Sequence, residues 1–182
     1  MVINICLVIA IILVLIILFG YNKLVKQKNK VKQYESGIDV ILNQRFDLIP
    51  NIVECVKSYS NYESETLTDL VNARTAYNQE KGVNFKDAER IENKINRIMA
   101  VAENYPDLKA NKQYLDLQDK LSQIENKLQQ ARNMYNNAVT IYNTTIETIP
   151  SNIIAKMFAF EKAELFKIDE NKKENINVNI NQ

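Results

Sequence analysis

Residues 114–149 read YLDLQDKLSQIENKLQQARNMYNNAVTIYNTTIETI, and the spacing of this stretch decides the fold. Apolar or small side chains recur at Tyr114, Leu117, Leu121, Ile124, Leu128, Ala131, Tyr135, Ala138, Tyr142, Thr145 and Ile149, in alternating steps of three and four without a skip. A helix brings such positions onto one stripe, and the 3.5-residue average is that of a coiled-coil seam. Asp116, Asp119, Lys120, Glu125, Lys127 and Arg132 fall between seam positions and make a charged outer face. One helix cannot bury that stripe alone, so partner helices must come from this chain or from another copy.

The chain supplies them. Leu24, Val31 and Ile38 are seven apart, with Tyr34, Ile41 and Leu48 between them. Pro50 suits the first turn of a helix, where its missing N–H is no loss, so a second helix is expected from Asp47-Leu48-Ile49-Pro50-Asn51, with Asp47 as its cap. Ile52, Val53, Val56, Leu67, Leu70, Val71 and Tyr77 mark its course to about Asn78-Gln79-Glu80-Lys81-Gly82. A third helix, roughly 87–103, carries Ile91, Ile95, Ile98 and Ala102. The corner Asn104-Tyr105-Pro106-Asp107 starts the fourth, with Asp107 suited to capping, and Ile149-Pro150-Ser151-Asn152 ends it. The expected fold is an all-α antiparallel four-helix bundle whose fourth helix outreaches its third.

The first helix extends backward into something else. Residues 1–22 hold no charged side chain, and Ile5 to Phe19 is an unbroken apolar run. With its neighbours the run reaches the ~20 residues that cross a bilayer core, and its insertion free energy is about −5 kcal/mol or better. No basic residue precedes the run and no small-x-small cleavage site follows it, so an uncleaved anchor is expected rather than a signal peptide. Neither Pro nor a group of turn residues separates the span from helix one, which predicts one continuous helix. Lys23, Lys26, Lys28, Lys30 and Lys32 follow directly, before the first acid at Glu35. The positive-inside rule then puts the C-terminal part in the cytoplasm and the N-terminus outside, in the cell membrane. The organisation expected is an anchor at 1–22, a bundle domain at 23–166 and a flexible tail at 167–182. Within that tail, Asn175 to Gln182 alternates polar and apolar residues with nothing to pair with.

Composition excludes much chemistry. The 182 residues carry 23 Lys+Arg against 22 Asp+Glu, a net charge of +1, so no global field draws nucleic acid. Three Gly and three Pro are too few for a many-stranded sandwich or barrel. The chain has no His, which removes Ser-His-Asp and Cys-His catalysis and the Glu-x-x-His di-iron sites of ferritin-like bundles. Cys6 and Cys55 are too few for a metal cluster or a disulfide framework. Glu92, Glu103 or Glu125 would give an all-oxygen site for Mg²⁺ or Ca²⁺, but charged outer faces account for these residues. No Gly-rich phosphate loop is present.

Several motifs resemble the bacterial LemA family. They are Tyr21-Asn22-x-Leu24; Arg45-x-Asp47-Leu48-Ile49-Pro50-Asn51-x-Val53-x-x-Val56-Lys57-x-Tyr59; and Tyr105-Pro106-Asp107-Leu108-Lys109-Ala110-Asn111-x-x-Tyr114-x-x-Leu117-Gln118. Glu125-Asn126, Tyr135-Asn136, Tyr142-Asn143 and the closing Pro150-x-Asn152-x-x-Ala155-x-x-Phe158-x-Phe160 complete the series, from the anchor to about residue 166. The resemblance implies a small membrane-anchored helical bundle and no established catalytic activity. Ser151, Lys156 and Ala159 depart from it, standing where Gly or another small residue is expected. Tyr135 and Tyr142 lie on the seam and read as core residues with hydroxyls at the bundle edge. The Asn after each reads as a device for register or partner choice.

These features predict a non-enzymatic scaffold or adaptor, without cofactor or metal, integral to the lipid bilayer and serving an unidentified protein partner. The alternative is an envelope factor acting on the membrane surface. Its candidate contacts are Lys23, Lys26, Lys28, Lys30 and Lys32 with the apolar group Ile153, Ile154, Met157, Phe158 and Phe160. That apolar hairpin either lies at the bilayer surface or folds back to cap the bundle. The long seam can also pair between chains, which allows a homo-oligomer.

Overall fold

The computed structural model describes residues 1–57, 64–79, 84–102 and 105–166, apart from the side chains of residues 64, 101 and 102. The elements are α1 (Val2–Phe46), α2 (Ile49–Lys57), α3 (Ser64–Gln79), α4 (Phe85–Ala102), α5 (Pro106–Lys109), α6 (Lys112–Glu147) and α7 (Ser151–Met157). Among the described residues there is no strand.

At ~1.5 Å per residue, the 45 residues of α1 make a rod about 68 Å long. Its apolar end meets the length and hydropathy of a membrane span, and none of that window is buried within the protein. The rest of α1 packs against the bundle through Leu24, Val31, Ile38 and Arg45, four positions seven apart, with Leu42 and Phe46 beside them. Span and first bundle helix are thus one helix, as the uninterrupted sequence predicts.

Contacts fix the helix directions. Arg45 meets Glu125, while Leu24 shares a cluster with Ile146, so α1 and α6 run antiparallel over three matched heptads. Arg74 pairs with Asp47 and Tyr77 with Asp39, which sets α3 antiparallel to α1. Lys94 pairs with Asp69, turning α4 against α3. Phe85 stacks edge-on to Tyr135 and the Tyr114 hydroxyl donates to the Met99 carbonyl, turning α6 against α4. The legs are α1 with α2, then α3, then α4, then α5 with α6, an up-down-up-down bundle. The expected corner at Pro50 needs correction: helical backbone at Asp47 carries α1 on into α2, one rod from Val2 to Lys57, and α2 packs on α6 and α3.

The seam positions of α6 are buried or half-buried except Ile149, which is 82% exposed. The expectation fails there because α6 closes at Glu147 and Thr148 turns to extended backbone, φ −85° and ψ 146°, so Ile149 leaves the stripe. Val139 joins the core unannounced by the strict seam. Both expected caps also need correction. Asp47 closes α1 in helical geometry and gives its carboxylate to Arg74 instead of opening helix two. Asp107 lies in the first turn of the short α5, and the long helix begins only at Lys112. Asn111 caps it, its side-chain oxygen accepting from the Gln113 and Tyr114 amides at 2.7 and 3.3 Å. The expected end of helix two at residues 80–82, Glu103 and Asn104, and the tail 167–182 lie outside the described residues.

Candidate interaction surfaces at the base of the bundle

The base of the bundle is the level where α1 leaves its bare apolar stretch. There α7 folds back onto α1. Ile154 and Ala155 are buried with Leu24 in a small cluster separate from the main core, with Ile146 and Phe160 packed against it. The approach is close: a Cβ on Gly20 would sit 2.2 Å from Ile154 Cδ1, so any larger residue makes the end of the Ile154 side chain move. Tyr21 meets the rings of Phe158 and Phe160 at 4.8 and 5.8 Å between centroids.

The sequence candidates divide at this point. Ile154 is buried and Phe160 half-buried, whereas Ile153, Met157 and Phe158 remain exposed. Lys23, Lys26, Lys28, Lys30 and Lys32 are all exposed along α1. Of these, Lys28 is brought to the apolar group, with its Nζ 5.6 Å from the Phe160 ring centre. One segment therefore covers part of the core and still offers an apolar edge.

Beyond α7 the chain turns at Ala159, whose φ of 51° lies in the left-handed region. Residues 160–166 then run without regular structure along α6, in the opposite direction to it. Four side chains of α6 hold this strap. The Tyr142 hydroxyl donates to the Glu161 carbonyl at 2.9 Å, and the Tyr135 hydroxyl to the Glu164 carbonyl at 2.9 Å. Asn143 takes both sides of Ala163: its Nδ2 donates to the carbonyl at 2.9 Å and its Oδ1 accepts from the amide at 3.0 Å. Asn136 does the same for Phe166, at 2.9 and 2.8 Å. Burial of the two Tyr rings, then nearby carboxylates, pushes the phenols above their ordinary range. These are Glu35 and Glu164 for Tyr135, and Glu161 for Tyr142.

A polar knot lies further along the bundle. Arg45, at the fourth of the seven-spaced core positions of α1, reaches Glu92, Glu125 and Asn96. Arg132 puts one nitrogen on both oxygens of Glu92. Two guanidinium groups and two carboxylates balance in charge, so Glu92 and Arg45 can be buried together. Glu92 and Glu125, two of the carboxylates considered for a cation, are thus turned to arginines, and among the described residues no group of three or more Cys, Asp or Glu could hold a metal ion. Phe166 lies over Arg132, its ring centre 4.4 Å from the guanidinium carbon, so the end of the strap covers the knot.

Sequence reasoning did not foresee the strap. Its signal is the pair of Tyr-Asn dipeptides seven residues apart, which the seam explained only in its Tyr half.

A helix that carries no charged side chain before Lys23 and runs unbroken into a heptad-built core defines a helical-bundle protein, with one candidate membrane span among the described residues. The profile of the LemA family matches residues 34–180. The chain belongs to the LemA family. It is also similar to Protein LemA of Metamycoplasma hominis, 23% identical over 153 residues, which covers 82% of this chain and 69% of that protein.

Proposed function

We propose that the chain is a single-pass membrane protein without catalytic activity, whose cytoplasmic bundle is a scaffold or adaptor for another protein. The observation that carries this reading is the bare apolar end of α1, which continues without a joint into the bundle. A membrane held on one end of a rigid rod fixes the height and direction of everything packed on the other. The five lysines after the span support a cytoplasmic bundle with the N-terminus outside.

The second reading is action on the bilayer surface itself. The exposed Ile153, Met157 and Phe158 favour it, because they lie beside Tyr21 at the end of the apolar stretch. Photo-crosslinking separates the two. With the crosslinker placed at Ile153 or at Met157 of the full chain in intact cells, the scaffold reading expects discrete protein adducts. Lipid adducts alone would favour the surface reading and sink the first.

A further inference from the structure

The strap is held through its main chain, not its identity. Tyr135, Asn136, Tyr142 and Asn143 make six hydrogen bonds to the strap, four donated to its carbonyls and two accepted from its amides, all with backbone atoms of residues 161, 163, 164 and 166. The two Tyr-Asn pairs are seven residues apart on α6, about 10.5 Å along the helix axis. The backbone groups they hold are three residues apart on the strap, roughly 9–10 Å of extended chain. The two repeats therefore match, and α6 presents a ruler for an extended peptide. Burial on the strap follows the same period: Phe160, Ala163 and Phe166 are half-buried, and the two residues between each pair are exposed.

We propose that this face of α6 is a peptide-recognition site for an extended segment of a partner protein, carrying an aromatic residue, a small residue three positions on and a second aromatic three further, with the chain's own residues 160–166 occupying it at rest. This rests on the scaffold reading and names the kind of partner it takes. Specificity comes from two places. The second ring sits between Phe85, 5.0 Å away ring to ring, and the Arg132 guanidinium. The central position must be small, because Ala163 is half-buried against the core. A peptide in trans makes the same bonds without the left-handed turn that the resident strap carries at Ala159. The tether gives the strap its advantage through effective concentration, so a partner must compete with it.

The test uses the full chain in detergent micelles and a fluorescent, end-capped nonapeptide with the sequence of residues 158–166. Phe166→Ala in the protein removes the ring that Phe85 and Arg132 hold, loosens the resident strap and leaves the α6 residues intact. The peptide should bind this variant at least tenfold more tightly than the wild type. Adding Asn136→Ala and Asn143→Ala should remove at least tenfold of that affinity. A peptide with Ala163→Trp should fail, while one with Lys162→Ala and Leu165→Ser should bind within about threefold of the original. If Phe166→Ala does not fold, hydrogen exchange on the wild type serves instead, with excess peptide accelerating the Ala163 and Phe166 amides relative to that of Tyr142. A folded variant that gains no affinity, or exchange unmoved by peptide, overturns the proposal. So does a wild-type dimer that the peptide splits into monomers, since the occupant would then be the strap of a second copy. Protein crosslinks from Ile153 would still uphold the scaffold reading after such a failure.

Discussion

One nitrogen of Arg132 meets both carboxylate oxygens of Glu92, at 2.9 and 2.7 Å, inside a bundle where Glu92 is 3% exposed. Its Oε1 also accepts from Arg45, at 3.3 Å. Removing Glu92 leaves two largely buried guanidinium groups with the half-exposed Glu125 as their remaining carboxylate. Glu125, with its side chain 48% exposed, leaves a gap that solvent can fill. We expect Glu92→Ala to lower unfolding free energy by about 3–5 kcal/mol, against about 1 kcal/mol or less for Glu125→Ala. Urea midpoints of the full chain in micelles, followed by circular dichroism, check this. Equal losses would show that the knot is not held at Glu92.

At the base, Gly20 predicts a different kind of coupling. Gly20→Val should drive Ile154 from its seat and destabilise the packing of α7 by about 1–3 kcal/mol, as overpacking does elsewhere. Gly20→Ala combined with Ile154→Ala should be milder than the sum of the two, because the smaller residue makes the room the added methyl needs. Exchange rates of the Phe158 and Phe160 amides report the loosening directly. Strict additivity would mean that the contact is not tight.

Much of the fold was legible because one period governs it. The three-four steps on α6 and the seven-spaced apolar positions on α1 name most of the core before any coordinates. Arg45 shows where the pattern becomes opaque: it continues the series Leu24, Val31, Ile38, yet a charge at a core position is read as surface until its carboxylates are seen. Helix starts were harder. Asp107 and Asn111 both suit a cap, and only the path of the chain after Pro106 decides for Asn111. The α6 clamps were hidden because their ligand is backbone, which leaves no side-chain pattern at residues 160–166 beyond Phe160, Ala163 and Phe166.

Ala159 is one of three positions, with Ser151 and Lys156, where the chain departs from the pattern of the closing turn, and its φ of 51° is a conformation that favours glycine. Left-handed backbone costs a residue with a Cβ about 1–2 kcal/mol. Glycine also gains entropy in the unfolded chain, which offsets part of this. Ala159→Gly should therefore stabilise the strap modestly, and Ala159→Val, with its branched Cβ, should weaken it by more. Comparing the melting temperatures of the two variants tests the turn. A higher value for the Val variant would mean that residue 159 does not hold this conformation in solution.

The two clamp tyrosines make the strap sensitive to alkali, and the direction follows from their protons. Each hydroxyl donates its proton to a strap carbonyl, so ionisation replaces an attraction with a phenolate facing an oxygen. Burial, together with Glu35 and Glu164 at Tyr135 and Glu161 at Tyr142, raises both phenols above the ordinary value of 10.0 in the folded chain. A group raised on folding binds its proton more tightly in the native state. Its stabilisation is complete below pH 10, the unfolded value, and disappears as pH rises through the folded one. Spectrophotometric titration of the nine tyrosines should show a late-ionising fraction that is smaller in the Tyr135→Phe, Tyr142→Phe double variant. Over the same interval, a spin label on an exposed strap position such as Leu165 should become mobile, because the clamps open when their donors are gone. Simultaneous ionisation of all nine, with the label unchanged, would mean that the hydroxyls do not hold the strap.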